Sequence, residues 1–392
     1  MTTAFEAHEA PAALPAAGDL LAAYRPSPSG AFLAGPTGTL LARGVDRAVT
    51  DPATATALLR DLGPDSTGVV IGAIPFAPGR PARLFVPTDL RRAGPVAEDP
   101  FFEPAAPAPA DRIWRQTPVP APQVYADAVA EAVRLLAEDP ELAKVVLART
   151  LELSTPGGAD LPAMLHRLIH RDPSGYTFAV PAGGDATLVG ASPELLVSRR
   201  GRAVVSNPLA GSAARCGDLA EDLRRAAALL ESPKDLAEHA FVVDAVRRAL
   251  APYCDDLVVP ERPTLLRTAA MWHLSTTVTG TLRDPGTSAL DLALALHPTP
   301  AVCGTPTDRA RELIAELEPF DRDLYTGVVG WGDARGDGEW VVTLRCAEAE
   351  GDRLRLYAGA GVVAASDPAA ELAETGAKFR TFLHAVGLEN AS

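Results

Sequence analysis

Apolar residues recur along this chain in two rhythms, one of period two and one near 3.6. Across residues 19–90, short apolar runs such as Ala31-Phe32-Leu33 and Val69-Val70-Ile71 alternate with Gly/Pro turns. That pattern predicts strands, with one helix at Pro52 to Leu62. Residues 93–123 are rich in proline and read as a connecting loop. Tyr125, Val129, Val133 and Leu136 then recur at helical spacing, predicting a helix over 124–138 that Asp139-Pro140 closes. Residues 144–149 read as an apolar strand and residues 176–214 as a run of hairpins. Ser232-Pro233-Lys234-Asp235 opens a helix, with a capping serine, a proline in the first turn and an acid three residues on. Trp272-His273-Leu274 begins another extended segment, and the stiff loop at 296–304 precedes a helix ending near Glu318. Residues 339–378 predict strand, turn, strand, glycine-punctuated loop and helix.

The composition narrows the partners. The chain has 392 residues, 47% of them hydrophobic, enough for a sizeable core. Its formal net charge of −14 argues against nonspecific binding to nucleic acid or anionic membranes. An anionic substrate would therefore need a local basic pocket. No apolar run approaches the length of a membrane helix, and the first residues lack the pattern of a signal peptide. Residues 1–18 read as a mobile tail. The four cysteines, Cys216, Cys254, Cys303 and Cys346, are scattered without a CxxC pair, as expected of reduced thiols in a cytoplasmic protein.

Several polar residues stand in costly places. In the strand predicted over 339–346, Val341, Thr343 and Arg345 alternate with Trp340, Val342, Leu344 and Cys346. An arginine there needs an anion, and its planar fork suits a carboxylate. The next strand runs through Tyr357 into Ala358-Gly359-Ala360-Gly361, where missing side chains allow close approach to the backbone. The following helix sets Glu371, Glu374 and Lys378 on one face. Glu238 shares a stripe with Val242, Ala245, Val246 and Ala249. The acids fit either buried salt bridges or a hard metal ion holding an anionic small molecule. Lys144, at the mouth of its strand, either snorkels to solvent or serves as a base. Glu194, following Ser192-Pro193 and leading into Leu195-Leu196-Val197, either pairs with a cation or acts as a general acid. Gly211 and Ser212 lie in a small-residue turn, PLAGS, and His273 fits a core histidine or a ligand contact.

Taken together, KVVLAR, GASPELL, PLAGS, SPKDLAEH, WHL, HPTPAVCG, ELEPFDR, GWGDARGDGEWVVTLRCA, YAGAGVV and AETGAK are similar, in order, to the motifs of chorismate-utilising enzymes. Within that family the set most resembles isochorismate synthases of siderophore pathways, over about residues 125–388. The resemblance implies an α+β fold with two large, mainly antiparallel sheets packed together and helices outside. It implies one unit over 19–392, with a divergent part at 19–123 and a catalytic core at 124–388. It implies Mg²⁺ and the dianionic substrate chorismate. By motif, Lys144 would be the base activating water for attack at ring C2, and Glu194 the acid protonating the departing C4 hydroxyl. Glu238 and Glu374 would hold Mg²⁺, with Glu371 nearby. Arg345 would grip a carboxylate with Tyr357, the Gly359 and Gly361 backbone and Lys378, while Gly211, Ser212 and His273 would line the ring.

Sister activities differ at single positions. Anthranilate synthases carry glutamine where Lys144 stands, and aminodeoxychorismate synthases a lysine where Ala210 stands. Salicylate synthases keep the lysine base and add pyruvate elimination, and they form the nearest alternative, followed by a non-catalytic chorismate-binding protein. The isochorismate reading implies no glutamine amidotransferase subunit and favours a monomer.

Overall fold

The computed structural model describes residues 15–62, 68–109 and 112–388. Two large antiparallel sheets dominate it. The larger has ten strands, in the order Gly304–Thr305, Lys144–Ser154, Arg353–Val362, Cys346–Glu350, Ala186–Ser192, Tyr176–Gly183, Gly30–Gly35, Gly38–Arg43 and Asp89–Ala93. Its tenth, Arg115–Val119, shares one edge of Lys144–Ser154 with Gly304–Thr305. The second sheet has eight strands: Val278–Thr281, Ala203–Asn207, Leu195–Arg200, Gly338–Val342, Val328–Asp333, Val69–Ile74, Arg83–Val86 and Arg47–Val49. A three-stranded sheet, Leu209–Ala214, Met271–Ser275 and Thr264–Arg267, stands beside them.

Alternation along the strands explains the layering. Phe178, Val180 and Leu188 of the larger sheet meet Ile71, Val329 and Val341 of the smaller in one buried cluster. Each such side chain removed from water contributes about 1.5–3 kcal/mol. The opposite face of the ten-stranded sheet is covered by helices Leu161–Arg171 and Pro368–Ala385, whose Leu165, Leu168, Phe379 and Phe382 are buried against it. Helices Pro233–Leu250 and Ala289–Leu296 cover the eight-stranded sheet. Pro122–Glu138 and Thr307–Leu317 pack on Val145, Leu147 and Val362. Residues before 123 supply strands to both large sheets.

The α+β architecture expected from the sequence is the one observed, and the helix at Pro52–Leu62 has the expected bounds. Three local expectations change. Residues 1–14 of the expected tail lie outside the described residues, while Ala17 and Gly18 already begin the helix Ala17–Ala23. The proline-rich 93–123 is not loop throughout: Arg115–Val119 pairs with Thr150 to Ser154, an edge position that tolerates Pro118. The strand expected over 339–346 is broken. Gly338–Val342 belongs to the eight-stranded sheet and Cys346–Glu350 to the ten-stranded one, and Arg345 takes φ +46° where the chain crosses between them.

Candidate active site

Lys144 begins the strand that carries it into the ten-stranded sheet, and its side chain is completely buried. Its Nζ lies 2.9 Å from Glu238 Oε1, on the helix Pro233–Leu250. The directions of approach do not make that contact a hydrogen bond, so Nζ is ion-paired yet has no hydrogen-bond partner. A buried amine left without hydrogen bonds is expensive. Gly361, on the neighbouring strand, makes room for it. A Cβ there would collide with Glu238 Oε1 and stand 2.9 Å from Lys144 Cε.

Glu194 and Arg345 occupy two adjacent crossovers. Glu194 lies between Ala186–Ser192 of the larger sheet and Leu195–Arg200 of the smaller; Arg345 makes the reverse passage. Glu194 is almost wholly buried, and its Oε1 accepts from Leu209 N at 3.4 Å. Burial pushes its carboxyl up to about 7, against the pull of the Leu209 amide and of Lys144, Arg345 and Lys378. Burial likewise lowers the Arg345 guanidinium, with Tyr325, Glu374 and Glu194 opposing. Among the described residues, no carboxylate pairs with Arg345 within 4.0 Å.

On the helix Pro368–Ala385, opened by an Asp367 cap on Ala370 N, Glu374 Oε1 meets Lys378 Nζ at 2.6 Å and accepts from Ser212 Oγ at 3.0 Å. Burial alone would raise the Glu374 carboxyl, but Lys378 and Ser212 outweigh it and hold it below the usual range. Lys378 also donates to Gly359 O at 2.8 Å. Glu371 is raised by burial and by Glu374, and its Oε1 is held by Lys234 Nζ at 2.8 Å. Each of the three acids thus faces a lysine.

Among the described residues, no three His, Cys, Asp or Glu side chains converge closely enough to cage a metal. Mg²⁺ needs no such cage, since it is commonly held by one or two carboxylates together with waters and substrate oxygens. Glu238 and Glu374 line one cavity and already attract positive charge from Lys144 and Lys378. This donor set fits a hard dication.

The three-stranded sheet closes another wall. Ser212 and His273 are paired in register, and Gly211 adopts φ +77°, a conformation that glycine takes without strain. His273 is buried with Nε2 unpartnered. Burial and the Arg345 charge hold it well below its ordinary value, so the ring is neutral. His239, next to Glu238, fastens that helix to this wall: its ring nitrogens lie 3.2 Å from Ala210 O and 2.7 Å from Thr276 Oγ1.

The cavity so formed is lined by Glu194, Gly211, Ser212, Glu238, His273, Arg345, Gly359, Gly361, Glu374 and Lys378, and Lys144 reaches it through Glu238. Tyr357 does not line it. Its hydroxyl lies 3.3 Å from Glu348 Oε2, while Tyr325 stacks on its ring at 4.9 Å and takes the cavity-facing position. Tyr325, Thr326, Val302 and Leu344 also line the site and were not expected from sequence. For Tyr325, only its place shortly after ELEPFDR hinted at a role. The free space is about 60 Å³, well below the 300–1,000 Å³ of common ligand pockets. A larger cavity of about 720 Å³ beside Arg167, His170 and Leu388 contains no carboxylate, so size does not locate the chemistry.

Residues 99–387 match the family of chorismate binding enzymes. The chain is 49% identical to the isochorismate synthase DhbC of Bacillus subtilis over 382 residues, covering 93% of this chain and 95% of that protein. It is similar to the structure of a Bacillus anthracis protein assigned as a 2,3-dihydroxybenzoate-specific isochorismate synthase (TM-score 0.88, 48% identity, 95% of this chain and 99% of that one). The menaquinone-specific isochorismate synthase MenF of Escherichia coli is more distant (TM-score 0.82, 25% identity, 95% and 92% covered). With the matching family model spanning most of its length, the chain belongs to the chorismate-binding enzymes.

Proposed function

We propose that this protein is an isochorismate synthase, converting chorismate to isochorismate by adding water at ring C2 and expelling the C4 hydroxyl. The observation that carries the reading is a fully buried lysine held against the cavity-lining Glu238, together with a cavity-lining carboxyl that burial holds near neutrality. One accepts a proton and the other donates one, as an addition at one carbon and a departure from another require. Lys144 takes the proton from the attacking water. Glu194, protonated up to about pH 7, gives one to the leaving hydroxyl. Arg345 and Lys378 bind the substrate's carboxylates, with Tyr325 and the Gly359–Gly361 backbone alongside. Ser212, Gly211 and neutral His273 face the ring. Mg²⁺ held by Glu238 and Glu374, with Glu371 behind them, would neutralise a ring carboxylate and favour its orientation. The lysine at position 144 favours water over ammonia, so no amidotransferase subunit is required.

The higher similarity to a 2,3-dihydroxybenzoate-specific relative than to a menaquinone-specific one supports a siderophore role. We read the protein as a cytoplasmic monomer, since the reaction needs no ammonia-delivering subunit. No helix among the described residues is long and apolar enough to cross a membrane. The decisive assay incubates the protein with chorismate and Mg²⁺ without ammonia and separates products by chromatography and mass. A product isobaric with chorismate and abolished by EDTA is expected. Salicylate plus pyruvate would move the protein to the lyase reading, and binding without conversion to the non-catalytic one.

A further inference from the structure

The strand Lys144–Ser154 has a gap along one edge. Gly304–Thr305 pairs with Val145 and Lys144, and Arg115–Val119 pairs with Thr150 to Ser154. Between them, no strand covers residues 146–149 on that side. Buried backbone groups there must find other partners, and side chains supply most of them. Ala148 N donates to Glu318 Oε1 at 2.7 Å, Val146 O accepts from Arg322 Nη2 at 2.6 Å, and Val146 N donates to Cys303 O at 2.8 Å. Glu318 and Arg322 are joined by two hydrogen bonds, at 2.5 and 2.8 Å, and both are buried. The pair presents one acceptor and one donor to the strand, as a neighbouring strand would.

The same guanidinium reaches across to the cavity wall. Arg322 Nη1 donates to Val302 O at 2.8 Å and Thr326 Oγ1 at 3.3 Å, and its carbon lies 5.8 Å from the centre of the Tyr325 ring. Val146, Val302, Tyr325 and Thr326 all line the cavity, whereas neither Glu318 nor Arg322 does. Phe76 caps the guanidinium from outside at 4.7 Å.

Building on the proposed isomerase activity, we infer that Glu318 and Arg322 are positioning residues: together they substitute for a missing strand, fix the Lys144 strand against residues 302–326, and so set the base relative to the opposite wall. A purely stabilising ion pair would need only opposite charges. A strand substitute needs its donor and acceptor in this order, because Ala148 N requires an acceptor and Val146 O a donor.

The test compares wild type, Arg322→Lys and the exchange Glu318→Arg/Arg322→Glu, each checked for folding by circular dichroism and for kcat and KM with chorismate and saturating Mg²⁺. Arg322→Lys keeps the charge but has no fork to span Val146 O and Val302 O together. At equal folded fraction its kcat should fall at least tenfold, with the half-saturating Mg²⁺ concentration within twofold of wild type. The exchanged pair should stay inactive even when folded. Wild-type kcat and KM in Arg322→Lys, or restored activity in a folded exchange variant, would overturn the positioning role. If the exchange variant does not fold, Arg322→Lys alone decides. No product from wild type would instead overturn the isomerase reading and this inference with it.

Discussion

Glu194 and Arg345 are each fastened, by a backbone hydrogen bond, to the segment that carries the other. Ala191 N donates to Arg345 O at 3.0 Å, and Val342 N donates to Glu194 O at 3.1 Å. Two strands therefore leave one large sheet for the other side by side, and Glu194 and Arg345 stand where the sheets part. Arginine at this point holds φ +46°, a conformation that costs free energy unless its surroundings enforce it. Such a pair is preorganised before substrate arrives.

Arg345→Lys should raise the KM for chorismate at least tenfold, with a smaller effect on kcat. It keeps the charge but loses the two parallel hydrogen bonds that a carboxylate accepts from a guanidinium. Steady-state kinetics against chorismate concentration tests this, and an unchanged KM would exclude direct contact.

Lys144→Met removes the amino group while leaving a long apolar side chain. Turnover should fall by about 10²- to 10⁴-fold, the usual contribution of a positioned base. Chorismate binding, followed by calorimetry with Mg²⁺ present, should survive. Retained turnover would remove Lys144 from the chemistry.

Gly361→Ala puts a methyl group against Glu238 Oε1 and Lys144 Cε. The substitution lies at the end of a strand and should leave the protein folded, since alanine fits strand geometry. It should nevertheless lower kcat and raise the Mg²⁺ requirement together, because both members of the ion pair must shift. Changes confined to melting temperature would argue that the close approach has no role in the site.

Much of this site was legible because its residues violate the local pattern. A lysine opening an apolar strand, an acid in an apolar helical stripe and an arginine among strand residues each cost free energy in a generic fold, and the structure brings Glu238, Glu374 and Arg345 around one cavity, with Lys144 against Glu238. What alternation does not reveal is where a strand changes sheets. Residues 339–346 are apolar on both faces because each half is buried by a different sheet, so the break before Arg345 leaves no polar mark. Tyr357 illustrates a second limit. It shares a strand face with Gly359 and Gly361, and the family resemblance implies a place for it at the site. Tyr325, 32 positions earlier by sequence number, folds over it and takes the cavity-facing place. Contacts between distant residues decide such matters, and no local rule encodes them. The lysine partner of Glu371, Lys234, is hidden for the same reason.

Tyr325→Phe and Tyr357→Phe should therefore differ. The first removes a hydroxyl at the cavity wall, 2.9 Å from where a Cβ on Gly359 would stand, and should raise the chorismate KM several-fold. The second removes a contact to Glu348 on the far side of the stack and should change KM less than twofold. The reverse order would restore Tyr357 to the substrate.

Glu194 ties activity and stability to the same proton, so both fall as pH rises. Its folded carboxyl is raised by burial to about 7, from an ordinary value of 4.5. The folded protein thus holds a proton that the unfolded chain releases between these values. Stability is greatest below about pH 4.5 as far as this group is concerned, and declines as pH rises toward 7, by about 3 kcal/mol in all. As the acid in the reaction, Glu194 must carry its proton, so kcat/KM should fall above about pH 7 with a single ionisation. Glu194→Gln cannot ionise or protonate a leaving group. It should melt at higher temperature than wild type at pH 8 while losing turnover about 10²-fold or more. Scanning calorimetry at pH 5 and pH 8, set beside the pH profile of kcat/KM, reads both effects. A stability gain that appears at pH 8 and shrinks at pH 5, together with lost turnover, would identify one buried carboxyl as the source of both. Equal melting of the variant and wild type at pH 8 would mean that Glu194 is ionised at no cost, and a general acid with a near-neutral proton could not be this residue.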